Sequence, residues 1–148
     1  MERLMVSACL LGFDCKYSGG NNRLPEDKLR ALRAEYRLVP VCPETAGGLP
    51  IPREPSERRG DRVVSIGGTD VTGQFKKGGE TALELARRFG CKKALLKENS
   101  PSCGSGKIYD GSFGGVLIPG YGVAAELLCS AGIEVLGESA LGDLLTER

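Results

Sequence analysis

The 148-residue sequence has no histidine and no tryptophan, and aromatic residues make up only 5% of it. Without an imidazole there is no Cys-His nucleophile pair, no histidine base and no histidine-containing zinc site. No apolar run reaches the ~18 residues that a membrane span needs. The opening Met1-Glu2-Arg3-Leu4-Met5-Val6 lacks the basic segment, hydrophobic stretch and cleavage site of a secretory leader. A cytoplasmic protein with no membrane partner is therefore expected. Charge of one sign is missing too: 20 Lys and Arg are intermixed with 19 Asp and Glu, for a net charge of +1. That leaves no broad electrostatic footprint for duplex nucleic acid. No repeat, linker or low-complexity segment is visible. Residues 1–148 read as one domain, long enough to bury a core without staples.

Glycine is abundant, at 22 residues, and there are six cysteines. In a reducing compartment such cysteines belong to metal or catalytic chemistry more often than to disulfides. Short apolar runs alternate with helical periodicity. Strands are expected at Arg3–Ala8, Leu38–Val41, Lys93–Lys97 and Ile133–Leu136. Helices are expected at Leu24–Tyr36, with Pro25 in its first turn, at Gln74–Phe89 and at Tyr121–Ala131. Glycines 90 and 132 follow the last two. Ala82, Leu85, Ala86 and Phe89 share one helical face, and a short helix is expected at Leu141–Leu145. The segment from Pro43 to about Gly60 reads as a loop, and Arg62–Val71 with Gly67-Gly68 as a hairpin. This order predicts an α/β fold, a Rossmann-like three-layer sandwich with a mostly parallel sheet and helices on both faces.

In such sheets ligands sit beyond the carboxyl ends of the strands. Cys9 and Cys42 directly follow expected strands, and Cys103 lies six residues after Lys97. Three thiols from distant parts of the chain can thus meet at one rim. Cys103 stands in Ser100-Pro101-Ser102-Cys103-Gly104-Ser105-Gly106, a run that suits neither a helix nor a strand interior. Three thiolates without histidine suit an iron–sulfur cluster, with a three-thiolate zinc site as the rival. A cluster held by three cysteines keeps one iron open as a Lewis acid. Three unrelated strand-end cysteines are the plain alternative. Cys91 and Cys129 read as small buried hydrophobes. Cys15, beside Lys16, is either a further thiol of the site or a loop cysteine with a lowered pKa.

Glu44, two residues from Cys42, is the obvious general acid/base in a chain without histidine, unless it is a solvated loop carboxylate. Ser100 and Ser102 flank Cys103 and can hydrogen-bond a substrate or the cluster, or serve as turn residues. Arg53 reads as a brace of its own loop through Glu54 or Glu57, or as an anion contact. Asp70 and Thr72 read as caps of the following helix. Gly104-Ser105-Gly106-Lys107 departs from the phosphate-loop pattern.

Several runs together resemble one family, in order and spacing. They are Ser7-Ala8-Cys9-Leu10-Leu11-Gly12, Cys15-Lys16-Tyr17, Val41-Cys42-Pro43-Glu44 with Gly47-Gly48-Leu49 and Pro52-Arg53, Asp70-Val71-Thr72, Leu96-Lys97 with Ser100-Pro101-Ser102-Cys103-Gly104, and Tyr109-Asp110-Gly111 with Phe113. The family is the small bacterial one, long catalogued as a domain of unknown function, that includes the thiouracil desulfurases. One departure is Ser18-Gly19, where the pattern has Asp-Gly. The resemblance implies a [4Fe-4S] cluster on Cys9, Cys42 and Cys103, with one iron open for the sulfur of a thiocarbonyl substrate such as 2-thiouracil. Water then replaces that sulfur, and hydrogen sulfide leaves without net redox change. It further implies Glu44 as acid/base and Ser100 as a substrate or proton-relay partner; Ser102 and Cys15 are expected to contact the substrate. Two other classes stay open: a cluster or sulfur carrier without catalysis, and a thiol redox enzyme that pairs Cys9 with Cys15.

Overall fold

In the computed structural model, which describes residues 1–145, the centre is a four-stranded parallel sheet. Its strands are β1 (Glu2–Ser7), β2 (Tyr36–Val41), β5 (Lys93–Leu96) and β8 (Glu134–Gly137), in the order β2-β1-β5-β8. The side chains alternate between two faces, as the two-residue period of a strand requires. Leu4, Val6 and Leu95 pack on one face with Leu29 and Leu32 of α1 (Glu26–Glu35) and with Leu141 and Leu144 of a 3-10 segment, Glu138–Leu144. Met5, Ala94 and Leu96 pack on the other with Ala82 and Ala86 of α3 (Thr72–Phe89) and with Ala124, Ala125 and Leu128 of α4 (Val123–Ser130). Burial on both faces explains why these strands read as continuous apolar runs. The expected α/β sheet with helices on both sides is the observed one. None of the described helices is long and apolar enough to cross a membrane.

Several local expectations need correction. The Pro43–Gly60 stretch is not plain loop: it holds a one-turn helix, α2 (Pro43–Ala46), and a strand, β3 (Ser56–Arg59). β3 pairs antiparallel with β4 (Arg62–Ser65), so the main hairpin turn falls at Gly60-Asp61. The Gly67-Gly68 turn is real but returns the chain only as far as a single bridge, Val64–Asp70. A second hairpin, β6 (Ser105–Tyr109) with β7 (Leu117–Tyr121), was not expected. Its glycines, and Pro119 within β7, break the alternation that marks a strand. Phe89 is 38% exposed instead of buried, and the Arg3 guanidinium lies 5.6 Å from its ring centroid. The expected cap is not made: α3 starts at Thr72, after Val71, with no side-chain cap. Asp70 Oδ1 accepts from Thr72 N at 2.9 Å, and Thr72 Oγ1 turns to Val63 N at 2.8 Å.

Two glycines set how the carboxyl rim is built. A Cβ on Gly47 would run into the carbonyl of Gln74, and one on Gly78 into the carbonyl of Pro43. Their absence lets α2 lie directly on the backbone of α3. The residues at the start of α2, Cys42 to Glu44, are thereby seated against a long rigid helix. The β3–β4 and β6–β7 hairpins meet beside this rim. Arg58 donates to Tyr121 O at 2.7 Å, and the backbone N of Gly111 and of Phe113 both donate to Glu57 Oε1 at 3.0 Å.

Candidate active site

Beyond the carboxyl ends of β1, β2 and β5 lies a cleft of about 530 Å³. Cys9, Cys15, Cys42 and Cys103 all line it, with Glu44, Ser100 and Ser102. Each thiol arrives by a different local device. Cys9 sits in a 3-10 turn, Ala8–Leu11, that follows β1 and closes at Gly12, whose φ of 101° favours glycine. Cys42 is the extended residue before α2, with Pro43 at the first helical position. Cys103 belongs to a turn in which Gly104 N donates to Ser100 O at 2.8 Å, ahead of β6. The Gly104–Lys107 stretch runs into a strand, not a helix, as its departure from the phosphate-loop pattern implies.

The thiols feel one another. Burial pushes the Cys9 thiol up, the Asn22 amide at 3.5 Å from its sulfur pulls it down, and Cys42 raises it again. Burial also drives Cys103 up to about 12, opposed by hydrogen bonds from Ser7 and Ser102 and reinforced by Cys9. Cys15 likewise reaches about 12 through burial and then through Cys42 and Cys9. Cys15 therefore does not have the lowered pKa that its neighbour Lys16 suggested. A redox pair needs a ready thiolate, and burial works against one at both Cys9 and Cys15. A coordinating metal reverses this balance, because it deprotonates a bound thiol outright. Three thiols with no imidazole form a soft donor set of the kind that takes an iron–sulfur cluster. Among the described residues no group of three or more His, Cys, Asp or Glu side chains could hold a single metal ion. A single zinc needs its sulfurs gathered at about 2.3 Å from one point; a cluster, with its ligands on separate irons, does not impose that requirement.

Glu44 is held at both oxygens. Arg53 Nε donates to Oε1 at 2.9 Å, and Ser102 Oγ donates to Oε2 at 2.9 Å. Ser102 is 2% exposed, so it lies beneath the carboxylate more than it faces the cleft. Ser100 Oγ accepts from Ser102 N and Cys103 N, both at 3.1 Å, and lies 3.0 Å from Ser102 Oγ. A hydroxyl has a single proton to give. Ser102 Oγ points its proton at Glu44 Oε2, 2.9 Å away, or at Cys103 Sγ, 3.6 Å away; in either case Ser100 is the donor between the two serines. The result is a chain from Ser100 through Ser102 to Glu44. Cys103 Sγ lies alongside, 3.6 Å from Ser102 Oγ.

Other residues of the cleft carry contacts for which the sequence suggested no role, although Ser7 and Lys97 stand in the runs that resemble the family. Ser7 Oγ accepts from Lys97 N at 2.9 Å and so ties the end of β1 to the end of β5. Lys97 Nζ pairs with Glu138 at 2.7 Å, and its charge lowers the Cys9 pKa. Asn99 lines the cleft with φ 67°, an uncommon conformation for any residue but glycine. Nothing in the local sequence marks these contacts, because each joins segments far apart in the chain. Cys91 is buried in the core as expected, whereas Cys129 is only half-buried. Ser18, at the position where the pattern has aspartate, is exposed in a turn and does not line the cleft.

The chain is similar to known proteins along nearly its whole length. The model of the 2-thiouracil desulfurase family matches residues 4–140. A Bacillus subtilis (strain 168) protein described as uncharacterized protein YbbK is 41% identical over 152 residues, covering 96% of this chain and 99% of that one. A solved structure of the [4Fe-4S]-dependent thiouracil desulfidase TudS superposes with a TM-score of 0.93. That match has 49% identity and covers 97% of this chain and 95% of the other.

Proposed function

Because the chain belongs to the 2-thiouracil desulfurase family, we propose that it is an iron–sulfur-dependent enzyme that exchanges the sulfur of 2-thiouracil, or a related thiocarbonyl, for oxygen from water. The observation that carries this reading is the meeting of three strand-end thiols and a buried-side carboxylate in one cleft. Cys9, Cys42 and Cys103 would hold a [4Fe-4S] cluster. Bound there, the cluster supplies an open iron, a soft Lewis acid suited to a thiocarbonyl sulfur. The balance is simple: one C=S bond and one water give one C=O bond and hydrogen sulfide, with no electron donor.

The chain's own residues handle the proton. A carboxylate has about four acceptor positions, and Arg53 and Ser102 occupy one on each oxygen of Glu44. The remaining lone pairs of a carboxylate that lines the cleft can take a proton from an attacking water. Ser100 reaches Glu44 only through Ser102, which favours a relay role for it over direct contact with substrate. Ser102, at 2% exposure, acts through Glu44 in the same way. Cys15 forms part of the cleft wall beside Cys42 as a neutral thiol.

Anaerobic incubation with 2-thiouracil tests the reading. Sulfide and uracil are expected in equal amounts over many turnovers. Sulfide limited to what the cluster itself contains, with 2-thiouracil intact, would mark a carrier and overturn the enzymatic reading.

A further inference from the structure

Arg53 reads from sequence as a brace for its own loop through Glu54 or Glu57; it does brace that loop, but through Glu44 and Pro50, and it reaches beyond it to Cys15. Its side chain is only 8% exposed. Nε donates to Glu44 Oε1 at 2.9 Å, Nη2 to Cys15 O at 2.9 Å and Nη1 to Pro50 O at 3.2 Å. Its backbone N donates to Tyr17 O at 2.8 Å. The carbonyl of Cys15 also lies 3.8 Å from Cys42 Sγ. One guanidinium thus spans the start of α2, the loop that carries Cys15 and Tyr17, and its own loop. Glu54 and Glu57, the partners expected for it, instead accept from backbone N–H groups of Gly67, Gly111 and Phe113.

The geometry of the fork matters. A guanidinium is planar and its donors diverge at fixed angles. Holding Cys15 O and Pro50 O therefore fixes the direction in which Nε meets Glu44. Ser102 holds the second oxygen, so the carboxylate cannot turn without breaking one bond or the other. A buried ion pair adds little net stability, since desolvation of two charges offsets their attraction. Orientation is the better account of an arginine placed here. We propose that Arg53 is a positioning residue for the desulfuration: it sets the carboxylate of Glu44 and holds the Cys15–Tyr17 wall of the cleft at a fixed distance from it. This rests on the desulfurase reading above.

The test compares wild type, Arg53→Ala and Arg53→Lys, each carrying its anaerobically assembled cluster, for iron per chain, melting temperature, kcat and KM toward 2-thiouracil. Misplacing a catalytic group by about 1 Å can cost about 10²-fold, and a kcat loss of that order is expected for Arg53→Ala. Iron per chain stays at the wild-type level, and KM changes far less than kcat. Arg53→Lys, which keeps the charge and loses the fork, falls between the two. An Arg53→Ala protein with wild-type kcat overturns the role. So does one whose iron content and melting temperature collapse together with kcat, which is the mark of a scaffold residue. Wild-type protein that releases no sulfide from 2-thiouracil overturns the desulfurase reading itself, and this role with it, before any variant is compared.

Discussion

Glu44→Gln is expected to keep the full iron content and to lower turnover by about 10²- to 10⁴-fold, the usual worth of general acid–base catalysis. The substitution is nearly isosteric, and the surrounding network can absorb it. The glutamine oxygen can still accept from Arg53 Nε. Its amide group then faces Ser102 Oγ, which must redirect its proton, and Cys103 Sγ at 3.6 Å and Ser100 Oγ at 3.0 Å are both within reach. Folding and cluster binding therefore survive while the proton acceptor is lost. With no histidine in the chain, no imidazole stands by to replace it. Iron per chain and the rate of sulfide release, measured on the same preparation, separate the two effects. Normal turnover in this variant would remove Glu44 from the chemistry.

Cys103→Ser is expected to lose most of the bound iron, and Cys9→Ser and Cys42→Ser the same. A serine oxygen is a hard donor and a poor substitute for thiolate on iron. At Cys103 the loss is compounded by burial, because the residue is 5% exposed and no water can take the vacated position easily. Cys15→Ser and Cys129→Ser are the informative controls and should retain iron. Cys129 lies half-buried on α4, outside the residues that line the cleft. Cys15 lines the cleft beside Cys42, so iron loss in Cys15→Ser would move it from the wall into the ligand set. Wild-type iron in Cys103→Ser would break the proposed triad.

The parts of this fold that could be read in advance are those whose signal is local. Leu4-Met5-Val6 and Ala94-Leu95-Leu96 are apolar on both faces because both faces are covered, and such runs stand out. The α3 boundary was legible at Gly90, whose φ of 66° closes the helix. β6 and β7 were hidden because they carry Gly106, Pro119 and Gly120, and much of the hairpin faces solvent, as Leu117 and Ile118 show at 40% and 38% exposure. β3 was hidden by its polarity, Ser56-Glu57-Arg58-Arg59. In the site, the three cysteines were visible because topology brings strand ends together, and Glu44 because it stands two residues from Cys42 in a run that carries the family resemblance. What holds them was not visible. Asn22 on Cys9, Ser7 on Lys97 and Arg53 on Glu44 are tertiary pairings, and nothing in the spacing of those residues encodes them.

The most direct test of the central claim is the iron and acid-labile sulfide content of the wild-type protein assembled under anaerobic conditions. About four irons and four sulfides per chain are expected, as a cubane held by one chain requires. A colourless, iron-free protein that still releases sulfide from 2-thiouracil would contradict it.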